Sequence, residues 1–300
     1  MSPILSVDLG GTQMRAALVG PDGGILLRRA QPTPRDSSCP DALLMLVSGI
    51  LENAGVEEAV IGVPGRVHYG SGTLEHAPNL PPGWVPALTE ENLSAVLGLQ
   101  ARLANDADLA AVGESGYGAG RGYADVVYVT VSTGIGAGVI LGGLLAHGGR
   151  SLVEVGHAII DRTALATGAP ATLEDQGSGT ALERIAAEAG LDRSGAELVE
   201  LVAAGDPTAV RTWGSVAEAT GIGVANLAHL FSPEVIVVGG GVARAGDLLL
   251  GPIRSALARL GPRGLPAPID VVRAALGDDA GLAGAAGWSD AFVREAASHV

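Results

Sequence analysis

One cysteine, 3% aromatic residues and a shortage of positive charge bound what this 300-residue chain can be. Cys39 alone cannot build a disulfide framework or a thiolate cluster for zinc, and its neighbours Ser37, Ser38 and Pro40 predict a loop there. With so few rings, the core must be made of Ala, Val, Leu and Ile. Lys plus Arg total 18 against 32 Asp plus Glu, a formal charge of −14, which is the wrong sign for a nucleic-acid surface or an anionic membrane. The six histidines are too scattered to form a ligand set by spacing. No phosphate loop of the form G-x-x-x-x-G-K-S/T occurs, and no glycine group has the G-x-G-x-x-G spacing of a dinucleotide fold. A nucleotide, if bound, is held in another way.

What is present is 47% hydrophobic with 46 glycines, the composition of an α/β protein with many tight turns and a length suited to two domains. The uncharged run Val126–His147 is long enough for a membrane span, but its glycine and hydroxyl residues and the Gly142-Gly143 turn argue against one. Ser2-Pro3-Ile4 leads into the first strand without a basic region or cleavage site, so no signal peptide is expected and the protein is expected to be cytoplasmic.

Hydrophobic patterning predicts strands near 4–9, 13–19, 25–30, 58–63, 100–105, 125–132, 136–141, 234–239 and 269–273, and helices near 41–53, 89–97, 107–114, 174–189, 195–204, 208–230, 246–260 and 281–297. The first two strands meet at Asp8-Leu9-Gly10-Gly11-Thr12, where glycine amides can face an anion and the aspartate can orient a divalent cation. A second strand–turn–strand unit, Val126 to Ile140 with Ser132-Thr133-Gly134-Ile135-Gly136 at its tip, repeats the design. Two such tips suggest duplicated halves facing one polyanionic ligand. A further strand ends in Asn105-Asp106 and passes directly into a helix. An acid at that junction is either an N-cap or a rigidly held general base, and the sequence leaves both open.

These motifs, in this order, resemble the ROK sugar kinases (repressor, open reading frame, kinase) of the actin/hexokinase superfamily. The matching residues are Asp8 to Thr12 with Arg15, Pro64-Gly65, Pro78-Asn79-Leu80 with Trp84, Asn105-Asp106-Ala107, Gly118 to Gly122, Ser132 to Gly136, Glu154-Val155-Gly156-His157, Leu173-Glu174 with Ser178-Gly179, and Gly239-Gly240-Gly241-Val242. The resemblance implies an α/β fold of two ribonuclease-H-like domains around a central cleft. The expected division is 1–115, completed by the C-terminal helix 281–300, and 116–280. It implies Asp106 as catalytic base, with Gly65, Asn79, Asn105, Glu154, His157 and Glu174 binding a sugar. ATP would be held by Asp8, Gly10, Gly11, Thr12, Gln13, Arg15, Thr133, Gly134, Gly136, Gly240 and Gly241, with Asp8 orienting Mg²⁺ through phosphate or water. A homodimer or tetramer is also implied.

The chain departs from the family between His157 and Glu174. Most members carry C-x-C-G-x-x-G-C-x-E there, with the histidine as fourth zinc ligand; here Leu165, Thr167 and Thr172 occupy the cysteine positions. None replaces a thiolate, so no zinc is expected, and Pro170 with packing of Leu165 and Leu173 is expected to hold the segment instead. The resulting expectation is an ATP-dependent kinase for glucose or a close relative such as an amino sugar, with polyphosphate as an alternative donor. A non-enzymatic sugar-responsive protein is the other reading; the acidic charge and the absence of a helix-turn-helix before Asp8 oppose a DNA-binding repressor.

Overall fold

The computed structural model describes residues 2–51, 55–81, 83–151 and 153–288. In chain order the first elements are β1 (Ile4–Leu9), β2 (Gln13–Val19), β3 (Ile25–Pro32), α1 (Cys39–Val47), β4 (Glu58–Val63), β5 (Arg66–His68), β6 (Thr73–His76), α2 (Glu90–Leu97), β7 (Gln100–Asn105) and α3 (Asp106–Tyr117). They are followed by β8 (Val126–Val131), β9 (Ile135–Leu141), β10 (Leu144–Leu145), α4 (Arg162–Thr167), α5 (Leu173–Gly177), α6 (Gly179–Glu188), α7 (Gly195–Ala203), α8 (Pro207–Phe231), β11 (Val235–Gly239), α9 (Asp247–Leu260), β12 (Asp270–Arg273) and α10 (Ala280–Gly284). Two compact units result. One comprises the chain up to Gly122, a return from Gly138, and the stretch from Asp278; the other comprises Tyr123–Ala137 and Val153–Gly277.

Two five-stranded sheets share one strand pattern. The first is ordered β3-β2-β1-β4-β7, antiparallel over β3-β2-β1 and parallel over β1-β4-β7; the second is ordered β10-β9-β8-β11-β12, antiparallel between β10 and β9 and parallel over β8-β11-β12. This equivalence is the physical form of the repeat visible in the two glycine tips. In the first unit β1, β4 and β7 run parallel, with Asp8 beside Gly62 and Val63 beside Asn105, so their carboxyl ends lie along one sheet edge. Leu5, Val7, Leu9, Met14, Leu43, Leu46, Ile61 and Leu103 fill one face, while Ala17, Val19 and Leu282 pack together elsewhere in the unit. In the second unit the apolar runs Val126–Val129 and Val235–Val238 are wholly buried, as strands covered on both faces require. The Trp213 indole donates to the Leu248 carbonyl at 2.8 Å, tying α8 to α9.

Helix ends follow their capping residues. Ser38 caps α1 and Thr89 caps α2, whose first turn carries Glu90 and Glu91 before Gly98 closes it in the left-handed conformation. Cys39, expected in a loop, is therefore the first residue of α1 and is buried, which pushes its thiol up to about 12. The predicted helix 174–189 is interrupted at Ser178, which is extended and whose hydroxyl accepts from the Ala181 amide to start α6 anew. Helix 281–297 is observed as α10 and a turn through Gly287, followed by buried Trp288; residues 289–297 lie outside the described residues.

Helices α3 and α10 approach each other through glycine. A Cβ on Gly113 would collide with the Ala280 carbonyl, and one on Gly284 with the Leu109 carbonyl. Both obstacles are backbone, so the helices must separate to admit a side chain. Gly284→Ala is expected to destabilise the protein by about 1–3 kcal/mol, the range for overpacking that displaces backbone, read as a lowered midpoint in chemical unfolding. An unchanged midpoint would mean that the helix pair adjusts freely.

Candidate active site

In the first unit the residues singled out by sequence gather at the carboxyl edge of β1, β4 and β7. Asp8 is the penultimate residue of β1, and its Oδ2 accepts from Arg15 on β2 at 2.7 and 3.0 Å. Arg15 also donates to the Asp278 carbonyl at 2.9 Å. Partial burial raises the Asp8 carboxyl above its ordinary value while Arg15 works in the opposite sense. The Gly10–Gln13 tip is closed by the Gly10 amide donating to the Gln13 carbonyl at 3.0 Å. A Cβ on Gly11 would stand 2.5 Å from the Asn79 carbonyl oxygen, so only glycine fits, and Asn79 is drawn against the tip. Thr12 and Gln13 are exposed there.

Asn105 and Asp106 divide the two roles that the sequence left open. The Asn105 Oδ1 accepts from the Ala107 and Asp108 amides at 3.0 and 3.1 Å, capping α3, and its Nδ2 donates to the Gly65 carbonyl at 2.9 Å. Asp106 is thus the first helical residue and is not the cap. Its side chain reaches solvent, yet the protein packed around the carboxyl and the negative charge of Asp8 disfavour the ionised form and push it up to about 7. A carboxyl that titrates near neutrality on a rigid strand–helix junction is suited to general-base work.

Beneath this pair lies a group that the motifs did not single out. The Tyr69 hydroxyl donates to Asp108 Oδ2 at 2.7 Å and accepts from the Asn105 amide at 3.2 Å. Burial, then the adjacent Asp108 charge, raises the Tyr69 phenol well above its ordinary value. Asp108 was visible as an acid in the first turn of a helix; Tyr69, 36 residues before Asn105, carries no local signal.

In the second unit a different set meets. Glu174, in the first turn of α5, accepts from the Ile135 amide at 2.8 Å, beside Gly134 and Gly156. The Ser132 carbonyl accepts from the Gly179 amide at 2.7 Å and the Thr133 carbonyl from the Thr180 hydroxyl at 2.8 Å, joining the β8–β9 tip to the start of α6. Gly240, with φ +88°, turns the chain after β11 close to the Val131 carbonyl, and Gly241 follows it. Gly136 lies within β9. Glu154 and His157 flank a single 3₁₀ turn, closed by the His157 amide on the Glu154 carbonyl at 3.1 Å, and both side chains are exposed.

The segment between His157 and Glu174 offers zinc no adequate donor set. Leu165 is 51% exposed instead of packed, the Thr167 hydroxyl donates to the Thr163 and Ala164 carbonyls, and Thr172 caps α5. No group of three His, Cys, Asp or Glu suited to a metal occurs among the described residues. Hydrogen bonds order the segment. Asp161 caps α4, Gly168 ends it in the left-handed conformation, Thr172 and Asp175 form a reciprocal capping box, and the Gln176 amide donates to the Pro170 carbonyl at 2.9 Å. Of the packing expected to hold it, only buried Leu173 contributes. Magnesium differs, because it is commonly held by one carboxylate together with substrate phosphates. Asp8 fits that need, since both Arg15 bonds go to Oδ2 and Oδ1 takes no hydrogen bond among the described residues.

Comparison with known proteins places these residues in a lineage. The profile described as ROK family matches residues 4–291. The glucokinase of Streptomyces coelicolor is 34% identical over 95% of this chain and 97% of its own length. The ROK family glucokinase of Streptomyces griseus, solved with glucose and AMPPNP, superposes with a TM-score of 0.82 at 34% identity, covering 97% of this chain and 100% of that one. The ROK hexokinase of Thermus thermophilus gives 0.81 at 34% identity, over 98% and 99%. On a match spanning both sheets and every motif of the two units, the chain belongs to the ROK family.

Proposed function

We propose that this protein is a sugar kinase that transfers the γ-phosphoryl group of ATP to the 6-hydroxyl of a hexose, glucose or a close relative such as an amino sugar. The observation that carries the reading is Asp106: a carboxyl near neutrality at the carboxyl edge of parallel strands, relieved of capping by Asn105. The glucokinases among its relatives support the class of substrate. Asp106 accepts the hydroxyl proton as the sugar oxygen attacks phosphorus. Asn79, Asn105, Glu154, His157 and Glu174 bind sugar hydroxyls, which need matched donors and acceptors in place of apolar surface. The Gly10–Gln13 and Thr133–Gly136 tips hold phosphate oxygens, and Gly240-Gly241 the rest of the nucleotide. Magnesium, carried with the nucleotide and oriented by Asp8, supplies neutralisation of phosphate charge.

A panel of hexoses and amino sugars incubated with ATP and Mg²⁺, with ADP release as readout, tests the proposal. Glucose or a close epimer is expected to give the highest kcat/KM, and product analysis should find phosphate at position 6. ADP release that no sugar stimulates would exclude the kinase reading.

A further inference from the structure

The Gly10, Gly11 and Thr12 carbonyls of the β1–β2 tip accept from two residues that follow β3, Thr33 and Arg35, and this fixes where the amides point. The Thr33 hydroxyl, in a residue only 8% exposed, donates to the Gly10 carbonyl at 2.6 Å, and the Thr33 amide donates to the Thr12 carbonyl at 2.9 Å. Arg35 donates through a terminal nitrogen to the Gly11 carbonyl at 3.2 Å. Each peptide is planar and trans, so the N–H of a residue points opposite to the carbonyl of the residue before it. With the Gly10 and Gly11 carbonyls turned toward Thr33 and Arg35, the amides of Gly11 and Thr12 are turned the other way. Neither donates to an acceptor among the described residues. Donor groups held in parallel at a bend form an anion-binding concavity.

Arg35 adds charge as well as direction. It is exposed and forms no ion pair with a carboxylate among the described residues, whereas Arg15, the other arginine near the tip, is spent on Asp8 and the Asp278 carbonyl. The chain contains no lysine, so arginine is its sole cationic side chain for phosphate apart from histidine. A cation donating to a carbonyl also polarises that peptide and strengthens its amide as a donor.

We infer that Thr33 and Arg35 form a carbonyl clamp that aims the Gly11 and Thr12 amides at the phosphates of the nucleotide, making both of them positioning residues for phosphoryl transfer. The inference rests on the proposed kinase function and adds residues outside every motif of the tip. The clamp acts on phosphate and leaves the sugar and the nucleoside alone.

The test measures affinity for ATP and for adenosine by calorimetry, and the sugar KM, in the full-length wild type, Thr33→Val, Thr33→Ser, Arg35→Met and Arg35→Lys. Thr33→Val and Arg35→Met are expected to weaken ATP by about three- to tenfold each, the worth of one hydrogen bond to an aimed group, with adenosine affinity and sugar KM unchanged. Thr33→Ser, which keeps the hydroxyl, should bind ATP like the wild type, and Arg35→Lys should fall between Arg35→Met and the wild type. Arg35 is exposed, so its variants fold even if Thr33→Val does not. Wild-type ATP affinity in Arg35→Met, or a loss in adenosine binding equal to the loss in ATP, would overturn the clamp while leaving the kinase reading intact. A wild type that binds neither ATP nor its phosphates would overturn both.

Discussion

Asp106→Asn is expected to lower turnover by about 10²–10⁴ while leaving the fold and the sugar affinity in place, the loss typical of removing a positioned base. Three features make the substitution a clean one. Asn105 holds the cap of α3, so no cap is lost. The bond that Asp106 Oδ1 accepts from the Ala107 amide at 2.9 Å can be accepted equally by an amide oxygen. The carboxyl also holds its proton more tightly in the fold than in the unfolded chain. Wild type therefore loses stability relative to the variant as pH rises from the ordinary carboxyl value of 3.8 through about 7, and the variant should be at least as stable at neutral pH. That gain is modest, because the side chain is open to solvent. Stopped-time assays give kcat, calorimetry gives the sugar affinity, and thermal unfolding gives stability. Turnover within threefold of wild type in a folded variant would remove Asp106 from the chemistry.

The capping question shows what a sequence can and cannot resolve. Asn105-Asp106 announces a strand–helix junction, but either residue suits the N-cap, and the choice depends on the Gly65 carbonyl, which waits 40 positions away for the Asn105 amide. Strands were legible nearly to the residue where an apolar stretch stops at a turn or helix signal, at Gly10 after β1, Gly20 after β2, Pro64-Gly65 after β4 and Asn105-Asp106 at the end of β7. The short pair β5–β6 was not, because three- and four-residue strands carry no period. Helix α4 was missed for another reason. The family pattern directs attention to missing thiolates, while Asp161 and Gly168, ordinary start and stop signals, were sufficient to build a helix. The motif residues of each tip were readable. Thr33, Arg35 and Tyr69 were not, since each acts through a partner distant in sequence and belongs to no pattern.

The pH dependence of the reaction follows from the surroundings of Asp106. The base must be ionised to take a proton, and its carboxyl is pushed up to about 7 first by the protein around it and then by Asp8. The value of kcat/KM, which reports the free enzyme, should accordingly fall about tenfold per pH unit on the acid side of that value and level off above it. At two units below, the loss is about a hundredfold. Nearby groups that set the midpoint can be separated by charge. Asp8→Asn removes a negative neighbour, which favours the ionised carboxylate and moves the acid limb to lower pH, whatever the variant loses in nucleotide binding. Arg15 and Asp108 keep their charges in that variant, so the direction of the shift isolates Asp8. An acid limb that stays in place in Asp8→Asn would mean that burial alone raises Asp106; a limb near the ordinary carboxyl value in wild type would mean that solvent at the exposed side chain outweighs both.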